Sequence, residues 1–144
     1  MEQRLLDERR DLLASLLPIA RALRKIEDAA AAGHGVSMWQ YAALALVAKV
    51  PGLSQREAAD RMDYSRNRII ADLDHLEKEG LLIRRPGSDR RANVLEATRR
   101  GVAVMQQVRA EIHRREDELL ADLTPDDRRD FDRTVRLIGE LVRR

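Results

Sequence analysis

The feature that most constrains this chain is a pair of closely spaced helix starts at Ser54 and Ser65. Ser54 followed by Glu57 is a capping box: the hydroxyl takes an amide that the first turn leaves unpaired, and the carboxylate reaches back to the Ser54 amide. Ser65 follows Asp63 and Tyr64 and starts the next helix. Two short helices, 55–62 and 66–79, are therefore joined by a tight turn. On the second, Ile69, Ile70, Leu73 and Leu76 recur at three- and four-residue steps, which predicts a buried stripe. Arg66, Asn67 and Arg68 occupy its first turn, ahead of that stripe. This is the pattern of a helix-turn-helix, whose second helix brings its N-terminal side chains to base edges in the DNA major groove. Arginine pairs bidentately with guanine and asparagine with adenine, each aligned pair worth about 1–3 kcal/mol of discrimination.

The flanking punctuation predicts the rest of the order. Ser37 with Gln40 is a second capping box, Thr98 caps a later helix, and Thr124-Pro125-Asp126-Asp127 starts the last one. Gly33 and Gly35, Pro51-Gly52 and Gly80 mark stops. Helices are expected at 3–31, 38–49, 55–62, 66–79, 99–122 and 126–142, with Pro18 kinking or dividing the first near Leu17. Between Gly80 and Thr98, the segments LLIRR and ANVLEA flank Pro86-Gly87-Ser88-Asp89, a hairpin with a basic tip. The expected fold is mainly α with a small β-hairpin wing: a winged helix-turn-helix with N- and C-terminal dimerisation helices. The domain division is 1–35, an N-terminal dimerisation helix; 36–98, the winged DNA-binding lobe; and 99–144, C-terminal dimerisation helices.

Charge agrees with that placement. The net charge of +2 is too small to point to nucleic acid, but residues 33–100 hold twelve basic and nine acidic side chains, against near balance on either side. The excess peaks at Arg84, Arg85, Arg90 and Arg91 beside a single Asp89. Arginine at a wing suits a narrow minor groove, because guanidinium is weakly hydrated and meets enhanced negative potential there. Charge alone does not separate this reading from a merely solvated face.

Several classes are excluded. There is no cysteine, and hence no disulfide or thiolate ligand. No apolar run approaches the roughly 18 residues of a membrane span, and the N-terminus lacks a signal-peptide core, so no membrane partner and a cytoplasmic location are expected. No nucleophile elbow, phosphate-binding glycine loop or zinc motif is present, so neither an enzyme nor a cofactor is expected. His34, His75 and His113 fall on three elements without ligand-like spacing, which argues against a metal.

Taken together, Trp39-Gln40-Tyr41 with Leu44, LSQREAADRM (53–62), SRNRIIADLDHLEKEGLLIRR (65–85) and SDRRANVLEATRRG (88–101) resemble the MarR family of bacterial winged-helix regulators. The resemblance covers nearly the whole chain. It implies that Ser65, Arg66, Asn67 and Arg68 read the major groove and that Ser54, Gln55 and Arg56 touch phosphates. It also implies that Asp89 orients wing arginines by ion pairing, with Arg90 on the backbone and Arg91 in the minor groove. Two departures are a short wing at Pro86-Gly87-Ser88 and an extended N-terminal helix carrying Pro18.

The chain ends carry apolar stripes. Leu5, Leu6, Leu12, Leu13, Leu16 and Leu17 line the first helix, and Phe131, Val135, Ile138, Leu141 and Val142 the last. Family dimers pair such ends across a two-fold axis, which implies a homodimer on a pseudo-palindromic operator in double-stranded DNA. The resemblance further implies a repressor released by a small-molecule effector, often aromatic or phenolic, in a cleft near His34, Trp39 and Tyr41. A protein-interaction module without specific DNA binding is the alternative.

Overall fold

A computed structural model describes residues 11–88 and 93–144, with Arg66 described by its backbone. Its elements run α1 (Leu12–Ala32), α2 (Met38–Lys49), α3 (Gln55–Arg61), α4 (Arg66–Lys78), β1 (Leu82–Pro86), β2 (Asn93–Ala97), α5 (Arg99–Leu119) and α6 (Pro125–Val142). The mainly helical order with a two-stranded antiparallel hairpin is the winged helix-turn-helix expected from the punctuation. The chain divides after Ile112, within α5, into two units.

The caps form as read. Ser37 and Ser54 each complete a capping box, with Gln40 and Glu57 as the reciprocating side chains. Ser65 accepts from the Arg68 amide and Thr124 from the Asp127 amide. α1 is not divided at Pro18 but continues through it. A proline ring removes one helical bond, here to the Ala14 carbonyl, and both residues are exposed, so water can satisfy that oxygen. Leu5 and Leu6 lie outside the described residues.

The first unit is built around the α4 stripe. Ile69, Leu73 and Leu76 are at most 1% exposed and join Leu44 of α2, Leu53, and Leu82 and Leu95 of the wing strands in one aliphatic core. Burying each such side chain is worth about 1.5–3 kcal/mol. Ile70 does not join them; it is 38% exposed. It sits one residue, and so about 100° of helical rotation, from Ile69, which carries it onto the flank. The turn between α3 and α4 closes when the Tyr64 amide donates to the Ala59 carbonyl at 3.0 Å, with Asp63 in a left-handed conformation at φ 49°. A short polar side chain tolerates that conformation better than most.

The wing is stitched to the lobe at both strands. β1 and β2 pair from Leu82↔Ala97 to Pro86↔Asn93, and the Leu95 amide donates to the Leu53 carbonyl at 2.9 Å, just ahead of α3. At the hairpin base, the Thr98 hydroxyl donates to the Gly80 carbonyl at 2.7 Å and accepts from the Gly101 amide at 3.0 Å. This draws the start of α5 against the α4–β1 connection so closely that a Cβ on Gly101 would lie 1.9 Å from the Leu81 carbonyl oxygen.

In the second unit, His113–Arg144, Arg128 pairs with Asp132 one turn along α6 and with Asp117. No residue of α6 is buried, although Val135, Ile138, Leu141 and Val142 are all at least half exposed and apolar.

Because backbone faces backbone at Gly101, Gly101→Ala is expected to cost about 1–3 kcal/mol or more, as overpacking does. Urea unfolding measures this, and an unshifted midpoint would contradict so close an approach.

Candidate nucleic-acid interface

The rotation of α4 about its axis decides which side chains can meet DNA. With Ile69, Leu73 and Leu76 turned into the core, Asn67 and Arg68 stand exposed on the first turn. The backbone places Arg66 beside them; its side chain lies outside the described residues. Ser65 holds the turn through its hydroxyl, which accepts from the Arg68 amide at 3.3 Å. The four residues expected to read the groove are thus consecutive at one helix start.

Behind them lies a polar and aromatic network that sequence reading missed. Tyr64 stacks on Trp39 with ring centroids 5.0 Å apart and planes 21° from parallel. The Arg68 guanidinium carbon lies 5.1 Å from the Tyr64 ring centroid, within cation–π range. The Tyr64 hydroxyl donates to Asp72 Oδ2 at 2.8 Å, while Gln40 Nε2 donates to Asp72 Oδ1 at 3.2 Å. Gln40 therefore has two roles, since its Oε1 also accepts from the Ser37 amide at 2.9 Å. The helical spacing of Tyr64, Arg68 and Asp72 was the available signal.

The three residues at the start of α3, its cap Ser54 with Gln55 and Arg56, divide by environment. Arg56 is exposed. Ser54 is half-buried and its oxygen is occupied by the Glu57 amide at 3.1 Å, which leaves its proton to donate. Gln55 is half-buried, and its Oε1 accepts from Arg84 at 3.5 Å.

That contact takes Arg84 out of the local basic excess. The register sets Leu82, Arg84, Leu95 and Ala97 on one face of the hairpin, the face carrying the buried leucines. Arg84 is only 16% exposed, pairs with Asp74 through Nη2, and places Nε 3.7 Å from Glu77. Its backbone amide donates to Glu77 at 3.3 Å. Arg85 lies on the other face and pairs with Glu96 at 2.8 Å. Two of the four arginines that raised the local charge are therefore engaged within the protein. Asp89, Arg90 and Arg91, the expected wing-tip readers, lie outside the described residues.

His34, Trp39 and Tyr41 stand in different surroundings. Trp39 is in the stack, the Tyr41 hydroxyl accepts from Arg109 Nε at 3.4 Å, and His34 is exposed in the turn after α1. A cavity of about 330 Å3 opens elsewhere, between the end of α2 and β2, lined by Val47, Pro51, Val94, Glu96 and Val102 among others. His75 Nε2 lies 3.2 Å from the Gly35 carbonyl. Among the described residues no group of three or more acidic, histidine or cysteine side chains is placed to hold a metal ion. None of the described helices is long and apolar enough to cross a membrane.

Comparisons with known proteins agree with this geometry. A model of the MarR family matches residues 34–92. A Thauera aromatica protein assigned as a transcriptional regulatory protein for the hcr operon is 31% identical over 121 residues, covering 83% of this chain and 69% of that protein. The crystal structure of a MarR protein superposes with a TM-score of 0.81 at 31% identity, covering 93% of this chain and all (100%) of that one. The transcriptional repressor CouR, bound to a 23-mer DNA duplex, superposes with a TM-score of 0.77 at 26% identity, over 92% of each chain.

Partial burial, then the hydrogen bond to Asp72, raises the Tyr64 pKa above its ordinary 10.0. The folded state thus holds this proton more tightly than the unfolded chain. Its contribution to stability is complete below about pH 10 and is lost as pH rises through the raised value. Alkaline titration of tyrosinate absorbance should show one tyrosine ionising late in the wild type, and Tyr64→Phe should remove that component.

Proposed function

This chain belongs to the MarR family of DNA-binding, winged helix-turn-helix transcriptional regulators, and we propose that it acts as a homodimeric repressor on a pseudo-palindromic operator. The family is one of regulators and not of enzymes. The observation that carries the reading is the exposed Asn67 and Arg68 on the first turn of a helix whose opposite face is locked into the core. Ser65, Arg66, Asn67 and Arg68 are assigned to base edges in the major groove. Ser54, Gln55 and Arg56 approach phosphates, Gln55 through the amide nitrogen that Arg84 leaves unengaged. Asp89, Arg90 and Arg91 are assigned to DNA contact from the wing, with Arg91 in the minor groove. The superposition on a repressor solved with a DNA duplex supports this division.

The dimer reading rests on two unpartnered stripes. α1 exposes Leu12, Leu13, Leu16 and Leu17, from 39% to 67%, and α6 exposes Val135, Ile138, Leu141 and Val142, from 51% to 77%. An amphipathic helix with its apolar side in water calls for a partner, and a second copy supplies one. Residues 1–35 and 99–144 then serve pairing, and 36–98 serve DNA. Two recognition helices would meet half-sites about 10 bp apart. Regulation is assigned to a small aromatic effector that releases DNA. Trp39, 37% exposed beside Tyr64, His34 and Tyr41 are its proposed contacts.

Selection of bound duplexes from a random pool should return a two-fold-symmetric site. Its affinity should fall linearly with the logarithm of salt, with a slope of about −0.9 per phosphate contact. Absence of binding to any duplex at low salt would return the winged lobe to a protein-interaction role. Arg91→Ala should weaken binding about tenfold or more while sedimentation still finds a dimer. Asn67→Ala should relax preference at particular bases; a uniform loss across unrelated sequences would reassign Asn67 to phosphate.

A further inference from the structure

We infer that Tyr64 is a specificity-determining positioning residue: it presents Arg68 to DNA by giving it an aromatic platform and by keeping Asp72 from capturing it. The inference rests on the DNA-binding reading above and names the device that serves it. Arg68 and Asp72 lie four residues apart on α4, the spacing at which oppositely charged side chains pair. Yet no ion pair joins them among the described residues. Each carboxylate oxygen of Asp72 already accepts a hydrogen bond, Oδ2 from the Tyr64 hydroxyl at 2.8 Å and Oδ1 from Gln40 Nε2 at 3.2 Å, which holds the carboxylate toward those partners. Arg68 instead lies against the Tyr64 ring, 5.1 Å from its centroid, with its side chain otherwise exposed.

The arrangement suits readout. A free arginine side chain has many rotamers, and fixing it at an interface opposes binding. A guanidinium resting on a ring has given up part of that freedom beforehand, and its N–H donors remain available at the edge. The ring is itself immobilised, since Trp39 stacks on it 5.0 Å away and its hydroxyl is tied through Asp72 to the capping residue of α2. The platform is therefore anchored to a helix other than the one that carries Arg68.

The test uses the full-length protein and the duplex obtained by selection. Tyr64→Leu removes the platform and the hydroxyl, and should weaken binding about three- to tenfold, the range expected for losing one pre-ordered side chain. In an Arg68→Ala background the same substitution should change affinity by less than about twofold, because there is no guanidinium left to present. Tyr64→Phe keeps the ring but releases Asp72. It should weaken binding by letting Asp72 pair with Arg68, and adding Asp72→Asn should restore affinity. A merely structural role for Tyr64 would not be rescued in that way. The single tryptophan, Trp39, adds an optical signature, since its fluorescence should change on duplex binding in wild type and not in Arg68→Ala. If Tyr64→Leu does not fold by circular dichroism, the phenylalanine pair decides alone. Loss of binding in Arg68→Ala with none in the Tyr64 variants, or failure of Asp72→Asn to rescue, overturns this inference and leaves the DNA-binding reading standing. A wild-type protein that binds no duplex overturns both.

Discussion

The proposed DNA-facing side of this protein depends on how one helix is rotated. α4 buries Ile69, Leu73 and Leu76 almost completely, three large aliphatic side chains that lie within about 60° of one another around the helix. At about 1.5–3 kcal/mol each, these contacts outweigh the cost of ordering any single surface side chain. Once they are made, Asn67 and Arg68 point to solvent, Asp72 turns toward α2, and Ile70 is left on the flank. The polar network of Tyr64, Asp72 and Gln40 follows from that rotation.

The wing shows how a charge is accommodated when strand register places it on the core side. Arg84 shares a face with Leu82 and Leu95, so its guanidinium leaves bulk water. Such a group is tolerated where carboxylates and hydrogen bonds replace the lost solvation. Asp74 and Glu77 come from α4, Gln55 from α3, and Arg84 itself from β1. Three elements of the first unit are thereby tied at one side chain. The carboxylate partners are about half exposed, so the pairing contributes more to geometry than to stability. One buried Nε without a hydrogen-bond partner marks where the accommodation is incomplete.

The hairpin is held at its base. The Thr98 hydroxyl spends its donor on Gly80 and its acceptor on Gly101, which closes α4, β2 and α5 onto one another. Gly80, with φ 72°, lets the chain leave α4 directly into β1, and Gly101 lets backbone meet backbone. The strands carry their pairing from this point outward to Pro86↔Asn93. The wing's root is thus placed by the lobe's own core, and α5 starts from that same place.

The sequence by itself determined the order of the described elements and most of their helix starts, because capping and chain reversal are local. A hydroxyl three residues ahead of a Gln or Glu, a hydroxyl that closes a tight turn, or a proline at a helix start acts within one turn, so Ser37, Ser54, Ser65 and Thr124 could be read directly. The family resemblance was equally legible, being carried by contiguous segments. Less legible was which polar side chains are spent inside the protein. Arg84 and Arg85 look alike in sequence, but strand register sends one inward to Asp74 and Glu77 and the other outward to Glu96. Ile70 looks like core until the rotation of α4 is settled. Tyr64, Arg68 and Asp72 form a network only because Gln40, from another helix, completes it. Those outcomes were decided by the tertiary structure alone, because burial and long-range hydrogen bonds depend on how elements pack.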